Sequence, residues 1–447
     1  MPIQSTNPAT GAVLRSFTAL DEAALKARIA QATAAAALLR ATPLEHRALC
    51  LRKLATLLVE DKAELADTIT LETGTPKRDA LAEILRCAEA CRYYAEAAAR
   101  MLAPEPLPST GAGRAYLQYS PMGVVLAVLG WHGPLWQAFR FLAPALMGGN
   151  VCLLRHAPTV PQCSMLVESL VRRAGFVRGA VTALLIENRD VEAVLGDDRV
   201  VAVTVTGSEA VGRAVAAQAG WLLKKSVLHL GGSDPFVVMP TANLDKAVAA
   251  AVAHGGTAKR IIVHADVYTD FLHRFVAAVD AVRVGDPAKD NTEIGPLGTA
   301  DALKTLEEQI KSAVAAGGRV VTGGSRLVGA GNYFENTVLS DVPRTSPVYR
   351  DEIVGPVALV FRARDLADAL SIANDTPYGL GASVWTEEPS EQQQLITGVD
   401  AGTVALNAVA ASDARLPFGG TKRSGYGREL GAAGMREFLN AKTVYIG

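Results

Sequence analysis

From Val124 onward, short apolar runs alternate with helix-like segments, and this rhythm limits the possible folds more than any other property of the chain. The runs fall at 124–130, 151–156, 181–186, 201–206 and 226–230, separated by helix-like stretches near 136–147, 161–174, 190–196 and 208–219. Strands that are apolar along their whole length must be buried on both faces, and the intervening helices supply the cover. The rhythm resumes after Gly231-Gly232, with strands expected near 235–239, 260–264, 357–362, 380–386 and 402–406. Two consecutive α/β domains with a joint near 231 follow, and 447 residues suffice for two or three cores.

The first hundred residues read differently. Residues 21–38, 45–72 and 76–101 are rich in Ala, Leu, Glu, Lys and Arg, with apolar residues three and four apart, which predicts helices. A break at Leu107–Gly113 precedes an alternating stretch, Arg114–Tyr119, expected to be an exposed strand or arm. The tail 425–447 is expected to carry one strand, Thr443–Ile446.

Composition removes several function classes. At 49% hydrophobic and 20% charged, the chain is an ordinary globular protein, and its net charge of −1 creates no field for nucleic acid or an anionic membrane. No apolar stretch approaches a membrane span, and the start MPIQSTNPATGAVL lacks the basic and apolar regions of a signal peptide. Five cysteines (Cys50, Cys87, Cys91, Cys152, Cys163) form no disulfide-like framework, as suits a reducing cytoplasm.

Six segments occur in one order across the chain: Asn7–Gly11, Trp131–Gln137, Thr206–Ser208, Leu228–Pro235, Glu352–Pro356 and Pro417–Glu429. Together they resemble the aldehyde dehydrogenase superfamily. Gly232-Ser233-Asp234-Pro235-Phe236 and Ala411–Arg415 are similar in texture to its succinate-semialdehyde dehydrogenase branch. The resemblance implies an α/β fold with an NAD(P)-binding Rossmann-like domain over 1–230, carrying an arm strand near 108–121. It further implies a catalytic-type α/β domain over 231–420 and an oligomerisation tail over 421–447, in a homodimer or tetramer. NAD or NADP is the implied cofactor, held by Trp131, Arg155, Thr206, Gly207, Ser208, Gly231 and Glu352.

The family's chemistry needs a thiolate nucleophile, a general base, an oxyanion-holding amide and a hydride acceptor. The nucleophile of a Gly-Gln-x-Cys loop should stand shortly before Lys259-Arg260. Between Ala253 and that pair there is only His254-Gly255-Gly256-Thr257-Ala258, a loop shorter by roughly eight residues and without a thiol. The general base, normally Glu in Glu-Leu-Gly-Gly, is His229, and an imidazole can take a proton near neutral pH. The oxyanion donor, normally Asn, is His132, and the next aromatic residue is Gly133, which widens the expected pocket. Val354 replaces a phenylalanine beside the nicotinamide ribose, and Arg155 replaces a lysine at the adenosine ribose.

Histidines thus stand at or beside three altered catalytic positions. Drift after loss of catalysis, acid–base chemistry in the old pocket, and a three-imidazole metal centre are the competing readings. No pair shows a metal-ligand spacing, so no metal is expected. Trp136, Arg140 and Arg415 are expected in the substrate funnel, where an anionic small molecule would fit. Functionally, the chain reads as a pseudoenzyme or a repurposed, non-oxidising site around His132, His229 and His254. The alternatives are a partner subunit of an active paralogue, or a dehydrogenase surviving on one of the five cysteines.

Overall fold

The computed structural model describes residues 3–108, 113–253 and 258–447. The fully apolar runs form two sheets. The first has five parallel strands in the order Val181–Ala183, Val151–His156, Val124–Leu129, Val200–Thr206 and Lys225–His229. Every residue of Val124–Leu129 and Val151–His156 is buried, because helices cover both faces. The helices Pro134–Gly148, Pro161–Arg173, Val191–Gly196 and Glu209–Trp221 intervene as expected. The run at 181–186 yields a strand over Val181–Ala183 only.

The second sheet has seven strands in the order Arg319–Thr322, Thr337–Ser340, Val357–Ala363, Arg260–His264, Pro235–Val238, Gly381–Trp385 and Thr403–Leu406. All neighbours are parallel except the edge strand Arg319–Thr322. Side chains alternate between two cores. Val237, Ile262 and Leu359 point into one, and Phe236, Ile261 and Val360 into the other. Arg260 is fully buried on the first of these sides, the one that Ile262 faces. Its guanidinium donates to the carbonyls of Tyr349 and Ile372 and lies over the Tyr349 and Phe361 rings, at 4.8 and 5.0 Å.

The N-terminal region is helical, with two corrections. The stretch 45–72 is two helices, Leu44–Glu60 and Lys62–Thr73, broken at Asp61 (φ −87°, ψ 7°), whose carboxylate pairs with Arg173 at 2.5 Å. A hairpin, Ile3–Thr6 with Val13–Phe17, precedes the first helix, Glu22–Ala41. The fourth helix is Lys77–Met101. In the arm, Arg114–Pro121 pairs with Glu105–Leu107 and with Leu439–Ile446, so the last strand is longer than the expected Thr443–Ile446.

The tail is not a separate appendage. Ala414, Leu430, Met435 and Phe438 belong to the core of the first sheet, and the Tyr94 hydroxyl contacts the carbonyls of Ala414 and Gly431 at 3.3 Å. The chain therefore rejoins the first sheet's core at Ala414, ahead of the expected boundary at 421.

Candidate functional site

The carboxyl ends of the first sheet's strands supply most of the site. Leu129 is followed by a turn, Gly130–Gly133, that the Gln137 side chain clamps. Gln137 Oε1 accepts from the Gly130 amide at 2.9 Å, and its Nε2 donates to the His132 carbonyl at 2.5 Å. Gly133 caps the helix Pro134–Gly148 with φ +58°, ψ 53°, a left-handed conformation that a side chain disfavours. This glycine has a backbone reason beyond the loss of a pocket wall.

The helix terminus is already occupied from within by a carboxyl group. The buried Glu83 carboxyl accepts from the Trp136 amide at 2.8 Å. Burial pushes the Glu83 pKa up to about 7, opposed by the Trp136 and Leu135 amides and by Arg86. Arg86 also stacks over the Trp136 ring at 4.9 Å, and Trp136 Nε1 donates to Ser412 Oγ at 2.8 Å. Trp136 is buried and anchored, not free in a funnel.

His132 is solvent-accessible and meets the Trp131 ring edge-on, with centroids 5.7 Å apart. The groups around the ring lower its pKa through desolvation, with Lys259 and Arg86 pushing the same way. Trp131 packs against Gly298, where an added Cβ would come 2.6 Å from the ring.

His229 ends the strand Lys225–His229, buried and stacked on Phe418 at 5.8 Å. Its Nε2 lies 3.6 Å from Glu429 Oε2, and neither ring nitrogen has a hydrogen-bond partner among the described residues. A carboxylate so close would ordinarily favour the imidazolium. Here Arg140 already neutralises Glu429, so burial prevails, with Arg140 and Arg428 adding to it, and the His229 pKa falls well below its usual value. The expectation of a base working near neutral pH is corrected: this imidazole resists protonation.

Arg140 likewise departs from expectation. Its guanidinium forms a buried ion pair with Glu429, donates to Thr206 Oγ1 at 2.9 Å and lies 5.2 Å from the Phe418 ring centroid. It is committed inside the protein and unavailable to a substrate. Arg415 is exposed but bound to its neighbour Asp413, at 2.8 and 2.5 Å. Thr206 accepts from Arg140, so its hydroxyl serves the interior.

The Thr206–Ser208 turn leads directly into a capped helix. Ser208 caps the helix Glu209–Trp221 by accepting from Val211 at 3.5 Å, and a Cβ added at Gly207 would meet nothing within 4 Å. Arg155, buried, contacts Asn188 Oδ1, while its Nε has no partner among the described residues. Burial pushes its pKa down to about 10. Beside it, His156 Nε2 contacts the Pro134 carbonyl at 2.9 Å.

Glu352 folds over the Gly231-Gly232 turn. Its Oε1 accepts from the Gly232 amide at 3.3 Å, and a Cβ on Gly231 would come 2.1 Å from Oε2, so a side chain there would displace this carboxylate. Burial raises the Glu352 pKa, opposed by the Gly232 amide and by Lys259. Asp234, buried and accepting from the Gly381 amide at 3.0 Å, is pushed up to about 7 by burial and then by Glu352. Val354 is 48% exposed.

His254, with Gly255, Gly256 and Thr257, lies outside the described residues. Among the described residues, no group of three His, Cys, Asp or Glu side chains could hold a metal ion. Three participants escaped sequence reasoning: Glu429, Asp234 and Lys259. The first two lie inside the quoted segments, and Lys259 directly follows the shortened loop.

Comparison with known proteins agrees with this geometry. The model of the aldehyde dehydrogenase family matches residues 1–444. Over 456 residues, covering both chains completely, the chain is 47% identical to succinate-semialdehyde dehydrogenase [NADP(+)] 1 of Mycobacterium tuberculosis. It is 45% identical over 454 residues, again covering both chains, to a probable succinate-semialdehyde dehydrogenase [NADP(+)] of Synechocystis. It superposes with a TM-score of 0.96 on succinic semialdehyde dehydrogenase of Streptococcus pyogenes solved with NADP+, at 32% identity and 99% coverage of both. The chain belongs to the aldehyde dehydrogenase family.

Proposed function

We propose that this protein keeps the nucleotide-binding scaffold of its family, has lost thiolate-based aldehyde oxidation, and presents a rebuilt site around His132 and His229. One observation carries the reading: no described thiol reaches the cleft. Cys50, Cys87, Cys91, Cys152 and Cys163 are all buried in the first sheet's core, and desolvation is the largest influence raising each thiol pKa. A buried thiol with a raised pKa supplies almost no thiolate, and thiolate is the attacking species.

The cofactor residues fit a dinucleotide. The Thr206–Ser208 turn opens a long helix, with open space beside Gly207, the Glu352 carboxylate suits ribose hydroxyls, and the partnerless Nε of buried Arg155 suits an anionic oxygen. That donor and the NADP+ relatives favour NADP over NAD. When bound, the nicotinamide supplies a hydride acceptor. The exposed Tyr445 and Ile446 on the arm support self-association as a dimer or tetramer.

The test is a paired one on the purified protein. NADP should bind saturably, read by quenching of tryptophan fluorescence. Succinate semialdehyde should then produce no reduced nicotinamide above background. Robust turnover would overturn the loss of oxidation, and absent binding would overturn the retained nucleotide site.

A further inference from the structure

Lys259 immediately precedes the strand Arg260–His264 and extends its ladder, its carbonyl accepting from the Leu359 amide at 2.9 Å. Successive side chains along an extended segment face opposite ways. With Arg260 locked in the core, Lys259 turns to the other side, where the charges that act on it and answer to it are those of Glu352 and His132. Its Nζ donates to the Gly355 carbonyl at 2.6 Å, and among the described residues no carboxylate forms an ion pair with it. An ammonium partly withdrawn from water, with one neutral acceptor and no carboxylate in direct contact, is costly, so such lysines tend to shed the proton.

We propose that Lys259 is the cleft's nucleophile towards carbonyl compounds, capturing an aldehyde first as a carbinolamine and then as an imine. The proposal rests on the reading that thiolate chemistry is gone, and it names the class of ligand that the rebuilt cleft takes. The hydrogen bond to Gly355 fixes one N–H, leaving the nitrogen lone pair directed away from that carbonyl. The lone pair attacks the carbonyl carbon, the C–N bond forms, and the carbonyl oxygen takes up a proton as a hydroxyl. That hydroxyl then leaves as water, carrying one proton from a neighbouring acid, while the nitrogen gives up its remaining extra proton. The sum is aldehyde plus amine giving imine plus water, with no oxidant. Glu352, three residues before the Gly355 carbonyl that holds Nζ, and His132 are the titratable groups coupled to it and are assigned the exchange of these protons.

Burial pushes the Lys259 pKa down to about 8, with the Glu352 carboxylate the one charge opposing it. At about pH 7.5, roughly a quarter of such an amine is neutral, against about one part in a thousand for an ordinary lysine of pKa about 10.4. That is an advantage on the order of a hundredfold in reactive species.

The experiment uses the full chain with succinate semialdehyde and cyanoborohydride, which reduces an imine to a stable secondary amine. Peptide mass mapping then locates the adduct, whose mass is that of the aldehyde less one oxygen. Lys259 should be labelled at least about tenfold faster than the exposed Lys442, with a rate that levels off above about pH 8 while Lys442 continues to rise. Lys259→Arg, which can keep the contact to Gly355, should abolish the adduct while NADP binding persists. Labelling no faster than at Lys442, or unchanged overall labelling in Lys259→Arg, overturns the proposal. Adduct without reduced nicotinamide supports both readings. Adduct together with thiol-reagent-sensitive nicotinamide reduction keeps Lys259 and refutes only the loss of oxidation.

Discussion

Breaking the Arg140–Glu429 pair from its two sides should have unequal effects. The side chains are 8% and 2% exposed, and the guanidinium has only Thr206 Oγ1 and the Phe418 ring as further support. Glu429→Gln leaves an arginine that cannot shed its proton, and an uncompensated buried charge costs about 3–5 kcal/mol. Arg140→Met leaves a carboxylate whose pKa burial already raises, and it can escape by protonation at about 1.4 kcal/mol per unit. With its folded pKa above the unfolded value of about 4.3, the unfolded chain ionises first as pH rises, so stability falls between the two values and returns on acidification. Arg140→Met should therefore recover stability from pH 7 to about pH 5, whereas Glu429→Gln should not. Urea midpoints at the two pH values read both effects, and Arg140→Met with Glu429→Leu should restore much of the loss. A Glu429→Gln cost under about 1 kcal/mol, or a larger cost for Arg140→Met at pH 5, would refute the electrostatic account.

Three further outcomes are expected. Burial pushes the His156 pKa down to about 4, so the unfolded chain gains that proton first as pH falls. Its stabilising contribution is complete above about pH 6.5 and shrinks by about 2 kcal/mol by pH 5, a slope that His156→Phe should remove from the urea midpoints. Gly133→Ala should cost about 1–2 kcal/mol through its left-handed backbone alone, since the added Cβ would meet nothing nearer than the Glu83 carboxylate at 3.9 Å; a loss well beyond that would mean the space is misjudged. The five thiols should ignore a disulfide reagent in the native protein and all react after unfolding; one fast native thiol, protected by aldehyde, would revive the thiolate route.

Most strands of the two large sheets were legible because they are largely apolar, but Arg319–Thr322 and Thr337–Ser340, RVVT and TVLS, are short and part polar and went unmarked. Ile3–Thr6 was not legible either, since IQST holds one large apolar residue, and Asp61 gives no warning that it breaks a helix to reach Arg173. In the site, motif order located the histidines but not their protonation. What depresses His229 is burial together with Arg140 and Arg428, cations that come from two segments far apart in sequence. The Arg140 side chain looked like a substrate contact because its partner, Glu429, lies near the other end of the chain. Lys259 was visible only as a landmark beside the shortened loop.

The return of Ala414, Leu430, Met435 and Phe438 to the first core sets an order of events during synthesis. The second sheet is drawn from one uninterrupted stretch, Pro235–Leu406, and can close as soon as that stretch has left the ribosome. The nucleotide-side unit, made first, must wait with an unsealed apolar surface until the arm strand Leu439–Ile446 arrives to pair with Arg114–Pro121. The part synthesised first is thus completed last, and a nascent chain stalled before Ala414 would expose the half of the molecule built on the first sheet to aggregation.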